Sequence, residues 1–362
     1  MNQRVLQPGE RIRVMVVDDS VVIRRLVTHA LEQDPALQVV GTASNGALGL
    51  QRIPQFSPDV VTLDIEMPDM NGLEMLRCIR RDHSQLRVIM FSTLTERGCA
   101  ITLEALTLGA DDYVAKVSNE GSLDESMLRL RAEMIPKIKQ FFRPSVDVRA
   151  HVGRRAHAAP PGAYLRRDLA RRPEVLVMGI STGGPAALGT ILPHFPGDFP
   201  LPILIVQHMP PLFTRLLADR LNASCLLTVE EASQGSVVAP GKVLIAPGDF
   251  HMKLISGQGQ VTVVLDQSAL QNFCRPAVDV LFRSAGEVYG GAVLAVVLTG
   301  MGQDGLRGVE VLKAHGACVF VQDEPSSVVW GMPGTIANAG LADLVLPLDQ
   351  MVSEILRFSG RC

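Results

Sequence analysis

The chain has 362 residues, enough for two domains, and is 47% hydrophobic and 20% charged, the balance of an ordinary globular protein. A formal net charge of −3 at pH 7 argues against nucleic acid or an anionic membrane surface as a partner of the whole chain. Aromatic residues are only 4% of the total, so the cores must be aliphatic.

In chain order, short apolar runs alternate with helical periods. The first half holds IRVMVV (12–17), LQVVGTA (37–43), DVVTL (59–63), RVIMFS (87–92) and DDYVAKV (111–117), with patterns such as VVIRRLVTHALEQ and GLEMLRCIRRD between them. Five βα repeats predict a doubly wound, flavodoxin-like parallel sheet covered by helices on both faces. The composition then shifts. Residues 143–173 carry eight arginines against two acids, several alanines and prolines, and a single aromatic, Tyr164, which reads as a solvated tether rather than a nucleic-acid surface. The expected organisation is a first domain over 11–135, a basic flexible linker over 136–172 and a second α/β domain over 173–360. In that second domain EVLVMGIS, LPILIVQH, AVLAVVLTG and ACVFVQDE read as strands of a mostly parallel sheet. KVLIAPGDFHMKLI and VTVVLD read as a small antiparallel part.

No apolar run is long enough to span a membrane, and MNQRVLQPGERIR lacks the apolar stretch of a secretory signal. A cytoplasmic location without membrane insertion is expected. The six cysteines, Cys78, Cys99, Cys225, Cys274, Cys318 and Cys362, show no metal-ligand or redox spacing and read mostly as small buried hydrophobes in a reducing compartment.

Ligands of a doubly wound sheet bind beyond the carboxyl ends of its strands. In the first domain those ends carry Asp18 and Asp19, Asp64, Ser92 with Thr93, and Lys116. Gathered carboxylates repel one another unless a cation sits among them, and hard oxygen donors suit Mg²⁺. An aspartate there can act as a nucleophile toward phosphorus, while Ser92 and Lys116 hold phosphate oxygens. Helix capping by Asp18, Asp19 or Ser20 does not account for Asp64 and Lys116 at matching strand ends.

In the second domain Gly179-Ile180-Ser181-Thr182-Gly183 fits G-x-S-x-G, the strand-to-helix turn that exposes a nucleophile. The motif alone also permits a helix cap or a phosphate cradle. A serine nucleophile needs a base and a group that orients the base. The next strand ends at His208, and the strand AVLAVVLTG runs into MGQDG with Asp304, so all three side chains meet if the strands are parallel neighbours. His194, His251 and His315 are weaker bases by position, and Asp323 is the rival acid. The order Ser, His, Asp differs from that of the α/β-hydrolases. The glycines around Met301 leave its backbone N–H available to an oxyanion.

Two resemblances join these readings. VMVVDDS, LDIEMPDMNGLEML and GADDYVAK resemble a response-regulator receiver domain over roughly 12–135. The resemblance implies Asp64 as phospho-acceptor, Mg²⁺ held by Asp18, Asp19 and Asp64, and Ser92 and Lys116 as switch hydroxyl and phosphate lysine. Val117 stands where many receivers have proline, so a differently shaped Lys116 loop is expected. GISTGGP, QHMPPLFTRLLADRL, IAPGDFHM, RPAVDVLFRSA, LTGMGQDG and WGMP are similar to the chemotaxis protein-glutamate methylesterase (CheB) family over about 174–358. That resemblance implies hydrolysis of glutamyl methyl esters on methyl-accepting chemotaxis receptors with release of methanol, and deamidation of receptor glutamines. It implies Ser181 as nucleophile, His208 as base, Asp304 as orienting acid, Met301 N–H as oxyanion donor and Thr182 in a supporting role. No cofactor is implied for the ester chemistry. The phosphodonor would be a chemotaxis histidine kinase, and the unphosphorylated receiver would cover the catalytic crevice. No nucleic acid is expected as partner, and a monomer is expected. The alternatives are a receiver-controlled hydrolase of another ester, a non-catalytic response regulator, and a DNA-binding regulator, for which no helix-turn-helix segment is found.

Overall fold

A computed structural model of the chain describes residues 4–116, 123–144 and 172–360, which fall into two compact units, 4–144 and 172–360. Val117 and residues 145–171 of the expected linker lie outside the described residues.

The first unit runs β1 (Arg4–Leu6), β2 (Ile12–Val17), α1 (Val21–Glu32), β3 (Leu37–Ala43), α2 (Gly46–Phe56), β4 (Val60–Asp64), α3 (Gly72–Asp82), β5 (Arg87–Ser92), α4 (Glu96–Thr107), β6 (Asp112–Ala115), α5 (Leu123–Lys139) and β7 (Phe142–Pro144). Its main sheet has the order β3-β2-β4-β5-β6, all parallel. β4 and β5 are buried along their whole length, as strands covered on both faces must be. Local chemistry sets the helix starts: Ser20 caps α1 and Asn71 with Glu74 closes a capping box on α3. Ordered structure runs past 135, the expected end of the domain. Met134, Ile138 and Phe141 are buried, and β7 pairs in parallel with β1, so apolar burial carries the fold to Pro144.

The second unit runs β8 (Val175–Ile180), α6 (Gly184–Ile191), β9 (Ile203–Gln207), α7 (Phe213–Asn222), β10 (Thr228–Glu231), β11 (Lys242–Ile245), β12 (His251–Gly257), β13 (Gln260–Asp266), α8 (Val278–Tyr289), β14 (Val293–Val297), α9 (Leu306–Ala314), β15 (Cys318–Gln322), α10 (Met332–Asn338), β16 (Leu344–Leu346) and α11 (Leu348–Phe358). The seven-stranded sheet has the order β10-β11-β9-β8-β14-β15-β16 and is parallel throughout. Among the described strands the antiparallel pairing is the β12–β13 hairpin. Lys242–Ile245, expected there, instead pairs in parallel with β9, because its apolar side chains are buried in the sheet. The core is mostly aliphatic, as the composition requires, with fully buried phenylalanines such as Phe282 and Phe320 among the smaller side chains. Among the described residues no helix is long and apolar enough to cross a membrane.

The chain leaves β8 for β9 on one side and reaches β14 on the other. This reversal opens a crevice at the carboxyl ends of β9, β8 and β14.

Candidate active site

In the first unit the strand ends bring Asp18, Asp19, Asp64 and Lys116 together. One carboxylate oxygen from each acid lies within 4.8 Å of the others. Asp18 and Asp64 are buried and Asp19 is exposed. Lys116 Nζ stands 2.7 Å from Asp64 Oδ1 and 3.1 Å from Asp18 Oδ2. Helix capping is left to Ser20, whose N–H also donates to Asp18 Oδ1. Asp64 Oδ2 is buried with no hydrogen-bond donor among the described residues. Desolvation raises the Asp64 carboxyl to about 6; Lys116 opposes the rise and the neighbouring Asp18 adds to it. Burial opposes the charge of Lys116, but Asp64 and Asp18 outweigh it and hold the ammonium above its ordinary value. Three acids against one lysine, with an orphaned oxygen, fit a hard divalent cation. Ser92 is turned elsewhere: its hydroxyl donates to the Gly98 and Thr93 carbonyls at 3.2 Å.

In the second unit the strand register sets the site. Ile180 pairs with Gln207, and Val297 with Gly179, so Ser181, His208 and the Thr299–Gly300 turn follow side by side. Ser181 N–H donates to Thr299 O at 3.0 Å and His208 N–H to Ile180 O at 3.1 Å. Ser181 does not cap α6. The N-cap is Gly183, at φ 80°, with no side-chain bond. Nor does Ser181 adopt the positive φ of a strained nucleophile elbow, since the left-handed position falls on Gly183. The elbow is held from both neighbouring strands: Gln207 Nε2 donates to Ser181 O at 3.0 Å, and Thr299 Oγ1 to Thr182 O at 2.9 Å. A Cβ on Gly300 would meet Ser181 Cβ at 2.8 Å, so only glycine lets the Met301 turn approach the nucleophile this closely. Met301 is 40% exposed and its N–H makes no hydrogen bond among the described residues.

His208 Nε2 lies 2.8 Å from Asp304 Oδ2. An ionised carboxylate only accepts, so Nε2 carries the proton and Nδ1 is the basic nitrogen. Nδ1 faces the Cys274 sulfur at 3.7 Å. The Ser181 hydroxyl makes no hydrogen bond among the described residues. Asp304 is 2% exposed. Its Oδ2 also accepts the Val278 N–H at 2.6 Å, and its Oδ1 accepts the N–H groups of Asp279 and Gly305 and the Asn272 amide. Burial pushes this carboxyl up, but His208 and the backbone donors outweigh it, leaving it below its ordinary value. Burial also opposes the charge on His208; Asp304 and then Cys274 outweigh it and raise the imidazolium to about 10.

The rivals are otherwise engaged. Asp323 binds the N–H and hydroxyl of Ser326. His194 bonds Thr190 O, His251 is buried in the hairpin against Ala269 O, and His315 ends α9. The sequence reading missed Asn272, Cys274 and Asp279. Cys274 was taken with the other thiols, and only its place two residues before Pro276 and four before α8, at the rim of the crevice, sets it apart.

A family model described as CheB methylesterase matches residues 176–355, and one described as response regulator receiver domain matches residues 14–128. The protein-glutamate methylesterase/protein-glutamine glutaminase of Trichodesmium erythraeum is 47% identical over 355 residues, 97% of this chain and 99% of that protein. The protein of the same name from a Nocardioides species is 48% identical over 368 residues, 98% and 96% of the two chains. The crystal structure of the Thermotoga maritima CheB methylesterase catalytic domain superimposes with a TM-score of 0.51 at 45% identity, covering 52% of this chain and 99% of that one. With both halves of the chain and nearly its whole length matched, the chain belongs to the protein-glutamate methylesterase/protein-glutamine glutaminase (CheB) family, a receiver domain followed by a methylesterase domain.

Proposed function

We propose that this chain is a phosphorylation-regulated esterase that hydrolyses glutamyl methyl esters on chemoreceptors and deamidates receptor glutamines. The observation that carries the reading is the His208–Asp304 pair at 2.8 Å, His208 following β9 and Asp304 in the loop between β14 and α9, the two strands that flank β8 and Ser181 being β9 and β14. Ser181 Oγ attacks the ester carbonyl carbon, and its proton passes to His208 Nδ1, the nitrogen not engaged by Asp304. Nucleophile and base are unbonded in this state, and substrate draws them together. The Met301 N–H faces the developing oxyanion, and Thr182 supports the turn. Collapse of the tetrahedral intermediate breaks the carbon–oxygen bond, and the proton on Nδ1 leaves with methoxide as methanol. Water then attacks the acyl-enzyme, giving its proton to Nδ1, and Ser181 departs with a proton to leave glutamate. A glutamine side chain follows the same course with ammonia as leaving group.

In the receiver, Asp64 is the phosphoryl acceptor from a chemotaxis histidine kinase. Its oxygen forms the bond to phosphorus as the bond to the donor breaks. Lys116 pairs with the phosphate, and Ser92 would have to leave the Gly98 carbonyl to join it. Asp18, Asp19 and Asp64 would hold Mg²⁺, which when bound offsets the charge of the acids and of the incoming phosphoryl group. The phosphate adds negative charge and acceptor oxygens at the receiver's strand ends, and this local change is the signal to which the esterase responds. A cytoplasmic location accords with such partners. The test is methanol release from methylated receptor cytoplasmic fragments, with and without a small acyl phosphate and Mg²⁺. Release that needs Ser181 and rises with the acyl phosphate is expected; equal release by Ser181→Ala would refute the assignment.

A further inference from the structure

Behind the Ser181 crevice lie two buried carboxylates, where ester hydrolysis requires one. Asp304 and Asp279 are each 2% exposed, and both accept the Gly305 N–H at 3.0 Å. Asp279, in the first turn of α8, also accepts the Gly308 N–H at 2.7 Å. A single amide joins them on the opposite side. Asn272 Nδ2 donates to Asp304 Oδ1 and to Asp279 Oδ2, each at 2.9 Å. The segment that carries it is built for the purpose. Gln271 and Cys274 exchange backbone hydrogen bonds, at 3.1 and 2.8 Å, across a two-residue turn. Its central residues, Asn272 and Phe273, stand at φ 51° and 63°, the left-handed pair of a type I′ turn, where asparagine is favoured. Arg283 of α8 donates to the Gln271 side chain, and Arg275 grips Asp249 and the carbonyls of Gln267 and Ser268. The turn is thus tied down at both ends. It delivers Asn272 to the back of Asp304 and Cys274 to Nδ1 of His208.

We infer that Asn272 is a positioning residue of the esterase: its amide bridges Asp304 and Asp279, keeps both ionised side by side, and so fixes the charge and aim of Asp304 toward His208. The inference rests on the esterase reading of Ser181, His208 and Asp304. The charged or titratable groups around the bridge are His208 at the end of β9, Asp279 and Arg283 on α8, and Cys274 on the turn itself. Proximity of Asp304 disfavours the ionised form of Asp279, whose carboxyl lies above its ordinary value, chiefly through burial. Without the bridging donors the acid pair and His208 bind a proton more readily, and the base-competent state needs a higher pH.

The test compares the full chain with Asn272→Ala, and with the double variant Asn272→Ala/Asp279→Asn, by two readouts. The first is the ¹H–¹⁵N titration of the His208 ring, assigned with His208→Gln. The second is the pH profile of kcat for methanol release. Asn272→Ala should move the His208 midpoint and the acid limb of kcat upward by about one pH unit or more, with about tenfold lower kcat below the limb and little change in KM. Removing the second charge in the double variant should bring both back down. An unmoved His208 midpoint, or a loss of kcat that the double variant does not recover, would overturn the inference and reduce Asn272 to a turn residue. If wild type released no methanol in a Ser181-dependent way, the esterase reading would fall, while the ring titration would still decide whether Asn272 governs the acid pair.

Discussion

Asp304→Asn should cost far more than the loss of one charge. The structure shows why. Asp304 Oδ1 accepts three donors, from Asn272, Asp279 and Gly305, so the oxygen of the introduced amide belongs there. Its NH₂ then occupies the Oδ2 position, facing the Val278 N–H at 2.6 Å and His208 Nε2 at 2.8 Å. Two donors cannot face a third. Nε2 must become the acceptor, and the ring proton moves to Nδ1, the nitrogen that has to receive the proton of Ser181. The base is lost through its tautomer while the fold stays intact. A wrong tautomer of this kind costs about 10⁴ in kcat in the serine-protease triad, which is about 5.5 kcal/mol of transition-state stabilisation. The assay is methanol release under saturating methylated receptor fragment, with circular dichroism and a thermal melt to show that the variant folds. A folded variant within tenfold of wild type would refute the assignment of Nδ1 as the base.

Four further outcomes follow from the geometry. Because His208 is raised to about 10 and must be neutral to act, activity should climb with pH on the alkaline side of 6.5, and Cys274→Ala should bring that limb down; a limb at or below 6.5 in wild type would contradict the ion pair. Gly300→Ala places a methyl 2.8 Å from Ser181 Cβ and 2.6 Å from Met332 Sδ, and should lower kcat roughly 10- to 100-fold through displacement of the nucleophile, as steady-state kinetics will read. Met301→Pro deletes one backbone donor and should lower kcat about 10²–10³-fold, whereas Met301→Leu should stay near wild type; equal effects would remove the oxyanion role. In the receiver, Asp64 takes up a proton as pH falls through about 6, so Mg²⁺ affinity measured by titration calorimetry should be weaker at pH 5.5 than at pH 7.5, and Asp64→Asn should abolish that difference along with the response to acyl phosphate.

Much of this site was legible in the sequence because parallel sheets place function at strand ends. Continuous runs such as VLVMGI and ILIVQ locate the strands, and the residue after each run is then a candidate before any contact is known. Ser181, His208, Asp18, Asp64 and Lys116 became candidates in that way, and Asp304 from the MGQDG turn that the strand AVLAVVLTG runs into. The strand-end rule also brought in Ser92, whose hydroxyl binds the Gly98 carbonyl. Side-chain direction is a tertiary property, and a strand end does not fix it. The same limit hid the Asn272 bridge. Its segment lies between the β12–β13 hairpin and α8, with no periodicity, and reaches Asp304 across 32 residues of chain. The boundary at 135 fell short for a related reason. Residues 136–144 mix prolines and charges with apolar positions, and only the packing of Ile138 and Phe141 shows that the fold continues.

The central claim, that Ser181 with His208 and Asp304 hydrolyses receptor methyl esters, is tested most directly by the mass of the substrate. A methylated receptor cytoplasmic fragment is incubated with the full chain and followed by intact-protein mass spectrometry. The account predicts stepwise loss of ester methyl groups with wild type, faster after addition of acyl phosphate and Mg²⁺, and none with Ser181→Ala or His208→Gln. Demethylation that persists in Ser181→Ala would contradict it.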